Sequence, residues 1–209
     1  MKSRIGILIP TRNRPNEIQL LLESLLGQQI DQVIVAGSGS DLSRILEKFK
    51  HLIAIEYVKS NPGQIVQKMT GIKSLRSDLD WVIFSDDDVV YPKNFIEKFR
   101  ETINIENSDK LIGIGFQITN GNYKSFGKMR KIFNNIFCLQ NGAPGVVNSS
   151  GDCIPYSNCK VPTFTMWLNG ASAWRYKHVL NYGSPVPETR YAAYKDAIFS
   201  FGNFAPGTL

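Results

Sequence analysis

Short apolar runs alternate with helical patterns four times in the first half of this 209-residue chain. The runs are rich in β-branched residues, as in strands buried in a parallel sheet, and they lie at residues 5–9, 32–36, 53–58 and 81–85. Apolar residues recur at helical spacing after each run. Strands and helices that alternate with short connections form βαβ units. The sequence therefore predicts an α/β protein whose single, Rossmann-like, doubly wound and mostly parallel sheet is flanked by helices.

The ends of the first two helices carry recognisable signals. We expect Asn13 to cap the first helix and Gly27 to end it. Helical spacing predicts a second helix over residues 41–50 and a third whose apolar face contains Ile65, Val66, Met69 and Ile72.

The second half of the chain is less regular. We expect strands at residues 111–119 and 164–168, a tight turn at 169–172 and a short helix at 194–201. Residues 120–160 are rich in Asn, Gly and Ser, and we interpret them as loops with one helix near residues 128–137. Long irregular segments in compact domains often form lids or binding loops.

Three consecutive carboxylates follow the fourth apolar run. Asp86, Asp87 and Asp88 stand where a buried strand ends. Adjacent negative charges repel one another at the end of a low-dielectric sheet, so a cation is expected there. Carboxylate oxygens suit Mg²⁺ or Mn²⁺, and these ions often bind together with the phosphates of a substrate. An acidic turn or a helix N-terminus remains the alternative interpretation.

Three loops are predicted to lie along one rim of the sheet. Residues 10–15, 37–41 and 86–88 all leave the carboxyl ends of strands, where ligands bind in such sheets. The first loop supplies Arg12 and Arg14, and the second is a Gly-Ser segment. This combination suits a nucleotide diphosphate with its metal ion.

Composition limits the partners and the location. The net charge of +6 fits an anionic partner. No run of Lys and Arg or basic-aromatic motif indicates nucleic acid. No apolar run has the length of a membrane span, and the start does not resemble a signal peptide, so we expect a cytoplasmic protein. Peripheral contact with a membrane stays open.

Cys138, Cys153 and Cys159 form an odd set without metal-ligand spacing. Reduced thiols are therefore expected, and a bridge between Cys153 and Cys159 is the alternative.

Five segments together resemble the family 2 glycosyltransferases of the GT-A fold, which use nucleotide-sugar donors and invert the anomeric centre. Residues 9–15 are similar to the family's first-strand signature, 61–72 to its helix before the acidic motif, and 84–92 to its DXD motif. Residues 167–172 are similar to its acceptor loop and 194–200 to the motif that carries its general base. The five segments occur in the family's order over nearly the whole chain.

The resemblance implies roles for individual residues. Donor-binding positions would be Pro10, Thr11, Arg12, Arg14, Ala36, Ser38, Lys68, Asp86, Asp87 and Asp88. Within this set Lys68 would lie near the diphosphate, and Asp88 with Asp86 would hold Mn²⁺ or Mg²⁺. Acceptor and sugar contacts would come from Trp167, Asn169, Gly170 and Ala171, and Asp196 would be the general base.

The resemblance also implies one GT-A domain over residues 1–209. Residues 1–119 would bind the nucleotide sugar, with a UDP-sugar favoured, and residues 120–209 would bind a glycan or glycoconjugate acceptor. The C-terminal part is short, which leaves open that the chain is the first domain of a longer protein.

Two departures from the family pattern keep other functions open. Ala36 stands where the family usually has an Asp that reads the nucleotide base, so base recognition would rely on backbone groups, Ser38 or Asp41. Lys195 replaces the family's Glu before the catalytic Asp. A degenerate member that binds nucleotide or glycan without catalysis is therefore the alternative. A nucleotidyltransferase is a third reading, which the absence of a Gly-rich, Arg-containing loop after the first strand disfavours.

Overall fold

The computed structural model describes residues 2–106, 111–117, 143–147, 153–154, 156, 159, 161–181, 196 and 199–200. Strands and helices alternate through the first half of the chain. The strands are β1 (Ile5–Arg12), β2 (Gln32–Ser38), β3 (Ile55–Lys59), β4 (Trp81–Phe84), β5 (Gly113–Gly115) and β6 (Ser172–Arg175). The helices are α1 (Pro15–Leu25), α2 (Ser43–Glu47), α3 (Gln64–Ile72), α4 (Phe95–Ile105) and α5 (Tyr176–Val179).

The six strands form one sheet in the order β3-β2-β1-β4-β6-β5. β1 pairs in parallel with β2 and with β4, and β2 pairs in parallel with β3. β6 runs antiparallel to β4. The predicted α/β fold with a mostly parallel sheet is confirmed.

Apolar strands and helix faces form the core around this sheet. Every residue of β2 is buried, and so is every residue of β1 before Arg12. Helix α1 buries Ile18, Leu21, Leu22 and Leu25, the residues that helical spacing predicts. The rings of Trp81 on β4 and Phe99 on α4 pack at right angles, with 5.6 Å between the ring centroids. Such burial on both faces explains why the central strands are continuous apolar runs.

The chain divides into two compact units. One contains Met1–Ile114 and Gly170–Ala192, and the other contains Gly115–Asn169 and Ala193–Leu209. In the second unit the amide of Met166 donates to the carbonyl of Gly145, and the amide of Ile154 donates to that of Val146 at 2.9 Å. None of the helices in the described ranges is long and apolar enough to cross a bilayer.

Asn13 does not cap α1, contrary to expectation. Its backbone is left-handed, with φ of 56°. Its side-chain oxygen instead accepts hydrogen bonds from the amide and hydroxyl of Ser40, at 2.9 and 3.1 Å. Arg14 occupies the cap position without a side-chain cap bond, and Gly27 follows the end of the helix with φ of 75°, as predicted for a stop.

The strand expected at residues 164–168 is wrong, because Phe164 is fully exposed and this segment lies outside the sheet. The turn expected at residues 169–172 gives way at Ser172 to β6, in which Trp174 is 1% exposed. The helix over residues 41–50 is shorter than predicted because Asp41 accepts hydrogen bonds from the amide and hydroxyl of Ser43 before α2 begins. The strand expected at 111–119 is also shorter, as β5.

Several predictions concern residues outside the described ranges. They are the helix near residues 128–137, Cys138 and Lys195. Of the helix expected at residues 194–201, Asp196, Phe199 and Ser200 are described and are helical. Cys153 and Cys159 are free thiols, as expected.

Candidate functional site

A hydrogen bond links the carboxyl end of β1 to the loop after β4. The Oγ1 atom of Thr11 donates to Oδ2 of Asp87 at 2.8 Å, and both residues are buried. β1 and β4 are paired in parallel, with Phe84 beside Leu8, so the loop after β4 runs alongside the last residues of β1. The predicted meeting of the first loop and the acidic triplet is therefore present.

Arg14 forms ion pairs with two members of the triplet. Its Nη1 atom lies 2.8 Å from Oδ1 of Asp87 and 3.0 Å from Oδ2 of Asp88. The negative charge of Asp87, followed by hydrogen bonds to both carboxylates, raises the pKa of Arg14 above its ordinary value. The Asp88 side chain is 59% exposed, whereas that of Asp87 is 11% exposed. Two carboxylates thus converge on one positively charged nitrogen atom, with Asp88 open to a ligand.

Asp86 turns toward a different set of groups. Its Oδ1 atom accepts a hydrogen bond of 3.0 Å from Nε2 of Gln64, at the start of α3. Its carboxylate also packs against the backbone of Gly170, where an added Cβ would lie 2.6 Å from Oδ2. This contact requires a residue without a side chain, which explains the glycine that the sequence places there.

Gln67 on α3 is a site residue that the sequence analysis missed. It is 4% exposed, and its Nε2 atom donates to the carbonyl oxygens of Thr11 and Ala36, the latter at 3.1 Å. The same nitrogen donates to Oγ of Ser38 at 3.3 Å. Gln67 therefore joins the carboxyl ends of β1 and β2.

The face of α3 that points inward differs from the predicted one. The buried residues of α3 are Ile65, Gln67, Lys68 and Gly71, whereas Met69 is 39% exposed. Close packing explains the difference, since a Cβ on Gly71 would lie 2.2 Å from Cδ1 of Leu8. The signal available in the sequence was a glycine four residues after a glutamine, on one helix face.

Lys68 is fully buried, with its Nζ atom 4.9 Å from the centre of the Phe84 ring. An ammonium over an aromatic ring is a favourable arrangement. The ring belongs to the last residue of β4, directly before the loop that carries the acidic triplet. The predicted role of Lys68 near a diphosphate stays a prediction.

The other predicted donor residues lie at the ends of the first two strands. Pro10 is buried in β1 beside Ala36 of β2, and Ser38 ends β2. Arg12 is exposed, and no described residue forms a hydrogen bond or an ion pair with its side chain.

The described residues contain no group of three or more His, Cys, Asp and Glu side chains arranged around a metal position. The available oxygens nevertheless have suitable chemistry, because carboxylates are the protein ligands that Mg²⁺ and Mn²⁺ prefer. Asp87 and Asp88 already share one cation, the Arg14 guanidinium. The donor set therefore fits a divalent ion that completes its coordination with phosphate oxygens and water.

Residues predicted to contact the acceptor fall in both units. Gly170 and Ala171 belong to the unit that contains the sheet, and Trp167, Asn169 and Asp196 belong to the other. In that second unit Nε1 of Trp167 donates to the carbonyl of Ile154 at 3.3 Å, and Nδ2 of Asn169 donates to that of Phe116 at 3.2 Å. The backbone carbonyl of Asp196 accepts a 2.6 Å hydrogen bond from Oγ of Ser200. The roles of these residues stay predictions.

Solved structures of similar fold include two of residues 1–349 of S. aureus TarS. The first has a TM-score of 0.62 and 16% identity, and the match covers 95% of this chain and 54% of that one. The second, a complex with UDP, has a TM-score of 0.65 with the same identity and coverage. This chain thus spans about half the length of the TarS fragment.

A third similar structure is a 4-diphosphocytidyl-2C-methyl-D-erythritol synthase from Anaerococcus prevotii. Its TM-score is 0.53 at 15% identity, with 95% of this chain and 85% of that one covered. At identities this low, the structural similarity shows a shared fold alone. None of the curated protein sequences compared with this chain matches it.

The family model described as Glycosyl transferase family 2 matches residues 6–160, which is well over half of the chain. These residues include β1 from Gly6 onward, the acidic triplet and Gln67. The chain therefore belongs to glycosyltransferase family 2, a family of sugar-transfer enzymes, and has the GT-A fold.

Proposed function

We propose that this protein is a metal-dependent, inverting glycosyltransferase. It transfers a sugar from a nucleotide diphosphate donor, with a UDP-sugar favoured, to a hydroxyl group of a glycan or glycoconjugate. The observation that carries the proposal is the network in which Thr11 and Arg14 hold Asp87 and Asp88 at the carboxyl end of β4. The TarS structure with bound UDP supports a uridine nucleotide as the donor.

The donor's diphosphate lies beside the acidic triplet in this proposal. Asp88, with Asp86, would hold Mn²⁺ or Mg²⁺, which would supply positive charge beside the diphosphate leaving group. Arg14 has one guanidinium and two carboxylate partners, so it can exchange a carboxylate for a phosphate oxygen without losing charge-assisted hydrogen bonds. Lys68 adds positive charge beneath the site. Arg14 and Lys68 thus stabilise the negative charge that develops as the glycosidic bond to phosphate breaks.

The acceptor needs a base on the other side of the sugar. Asp196 accepts the proton of the attacking hydroxyl as that oxygen bonds to the anomeric carbon from the face opposite the diphosphate. Inversion follows from this single displacement. The family resemblance assigns contacts with the donor sugar or the acceptor to Trp167, Asn169, Gly170 and Ala171.

A panel of nucleotide sugars, each with and without Mn²⁺, tests the proposal. A donor that binds the folded state raises the melting temperature, and slow hydrolysis of the same donor should release free sugar and UDP. We expect both effects for at least one UDP-sugar, and we expect chelation to abolish them. No stabilisation by any nucleotide sugar would contradict the proposal.

A binding protein without catalysis is the second candidate, and Ala36 in place of the family's Asp is the observation that favours it. It predicts stabilisation by UDP and Mn²⁺ together with no release of sugar from any donor. Calorimetry and hydrolysis on the same sample distinguish the two functions.

A further inference from the structure

We infer that Gln67 reads the nucleotide base, and that its side-chain oxygen accepts a hydrogen bond from the imide N–H of a base such as uracil. This inference rests on the proposed nucleotide-sugar donor. It assigns base selection to α3, whereas the family pattern assigns it to the end of β2.

The geometry fixes which end of the Gln67 amide remains for a ligand. Backbone carbonyls only accept hydrogen bonds, so the two carbonyl partners of Gln67, on Thr11 and Ala36, require Nε2 to point at the strands. Oγ of Ser38 is an additional acceptor for the same nitrogen. Among the described residues, every hydrogen bond of this side chain uses Nε2, which leaves Oε1 as the group that can meet a ligand.

Burial makes this oxygen a specific recognition group. Gln67 is 4% exposed, so its rotamer is fixed by its surroundings. Some side-chain atoms of the described residues are inaccessible to solvent and also lack a hydrogen-bond partner. Oε1 of Gln67 is not one of these atoms. A buried amide with a spare acceptor at a ligand site discriminates strongly, because a ligand without the matching donor leaves that acceptor desolvated and unpaired.

Gln67 lies close to residue 36, where the family usually has a base-reading Asp and this chain has Ala36. Ala36 has no polar side-chain atom, and it lies on the face of the sheet that α3 covers, since a Cβ on Gly71 would be 3.4 Å from Cβ of Ala36. Gln67 comes from the same helix and bonds directly to the Ala36 carbonyl. A carboxylate at residue 36 and the Oε1 atom of Gln67 are both hydrogen-bond acceptors on the same face, so one can replace the other.

The chemistry selects among bases. Uracil presents an N3–H donor at the edge where cytosine presents an N3 acceptor, so an acceptor on the protein favours UDP and opposes CDP.

Equilibrium binding of UDP and of CDP, each with Mn²⁺, tests the inference through the ratio of their dissociation constants. For the unmodified chain we expect UDP to bind about tenfold more tightly or better, the effect of one buried hydrogen bond. Gln67→Met keeps the length of the side chain and removes its polar atoms, and it should bring the ratio to within about twofold. The ratio is unaffected by partial unfolding, because unfolded protein lowers the apparent affinity for both nucleotides equally.

Gln64→Met is the matched control. Gln64 lies one turn earlier on α3 and donates to Asp86, so this variant should retain the preference for UDP. A second variant, Gln67→Ala with Ala36→Asp, returns an acceptor to β2 and should recover the preference that Gln67→Met loses.

The outcomes separate the two levels of the proposal. Equal affinities of the unmodified chain for UDP and CDP, or an unchanged ratio in Gln67→Met, would overturn the role of Gln67 and leave a nucleotide-binding glycosyltransferase intact. If the unmodified chain bound neither nucleotide, both the donor class and the role of Gln67 would be wrong.

Discussion

Thr11 and Asp87 are 76 residues apart in the chain, and the hydroxyl of one donates to the carboxylate of the other at 2.8 Å in a buried environment. The bond connects the two parallel strands whose ends carry the proposed donor site. Arg14 then holds the second oxygen of the same carboxylate. Asp87 is therefore the member of the triplet that fixes the shape of the site, while Asp88 remains exposed to ligand.

Thr11→Val should lower both stability and donor binding. Valine has nearly the same shape, so the main effect is to remove one donor from a buried carboxylate, which costs about 1–3 kcal/mol of the free energy of unfolding. Chemical denaturation measures this change. Thr102→Val is the matched control on α4, where the hydroxyl's one hydrogen bond among the described residues is to the carbonyl of Lys98. A loss in Thr11→Val no larger than in the control would contradict the structural role of this bond.

Arg14→Gln should increase the affinity of the protein for Mn²⁺ in the absence of nucleotide. Arg14 occupies the point on which Asp87 and Asp88 converge, so a metal ion must compete with a guanidinium that is already paired. Removing that charge should lower the dissociation constant by about two- to fivefold, a gain of under about 1 kcal/mol that is typical of partly exposed ion pairs. Titration with Mn²⁺ monitored by electron paramagnetic resonance measures it directly.

Arg12→Gln is the control for that experiment. It removes the same charge from Arg12, an exposed residue at the end of β1 that has no ion pair with any described residue. If Arg12→Gln and Arg14→Gln raised the affinity for Mn²⁺ equally, the cause would be the change in net charge. Direct competition between Arg14 and the metal ion would then be ruled out.

The sequence predicted the sheet well and the interior of the site poorly, for a physical reason. Strand runs such as residues 32–36 are apolar because both faces of the sheet are covered, and that pattern is visible locally. Gln67 and Lys68 are buried because strand-end carbonyls and the Phe84 ring receive their polar ends, and these partners come from distant parts of the chain. Helical periodicity counts such residues as polar, and it therefore placed the buried face of α3 on Met69.

The sequence pattern did not predict β6, the last strand along the chain, for a related reason. The sequence around Gly170 predicts a turn, yet the glycine is required by the carboxylate of Asp86, which packs against it. β6 begins two residues later and pairs with β4. A glycine that serves a tertiary contact cannot be distinguished from a turn glycine by sequence pattern alone.

Gly170→Ala should weaken donor binding with little effect on the backbone. The φ angle of Gly170 lies outside the left-handed region, so alanine is compatible with the chain itself. The new Cβ would lie 2.6 Å from Oδ2 of Asp86 and must displace that carboxylate. We expect the affinity for UDP with Mn²⁺ to fall about tenfold, as measured by calorimetry. Unchanged affinity would show that the position of Asp86 is not needed for the donor.

Tyr91→Phe should make the protein less sensitive to alkali. Burial raises the pKa of Tyr91 above the ordinary value of 10.0, so the folded state retains a proton that the unfolded state releases near pH 10. The stability that comes from this difference is fully present below that pH and is lost as the pH rises further, with a slope of up to about 1.4 kcal/mol per pH unit. Urea unfolding at pH 7 and pH 10.5 measures the loss.

The loss in free energy of unfolding between pH 7 and pH 10.5 should be smaller in Tyr91→Phe than in the unmodified chain. Tyr176→Phe provides the comparison, because Tyr176 is only half-buried and its replacement should leave the alkaline loss in place. An identical alkaline loss in all three proteins would exclude Tyr91 as its source.

Asp196→Asn should lower turnover by about 10² to 10⁴ and preserve donor binding. Asparagine has nearly the same shape and cannot accept the proton of the acceptor hydroxyl, and a general base typically contributes about 10² to 10⁴ in rate. The backbone carbonyl of Asp196 keeps its hydrogen bond from Ser200 in this variant, so the helix should stay folded. Ser200→Ala is the control, since it removes that hydrogen bond and leaves the carboxylate. Steady-state assays with a donor that hydrolyses measurably, together with calorimetry for UDP, separate kcat from binding. Normal turnover by Asp196→Asn would assign the base to another residue, whereas an equal loss in Ser200→Ala would mean that Asp196 acts through the fold of this helix.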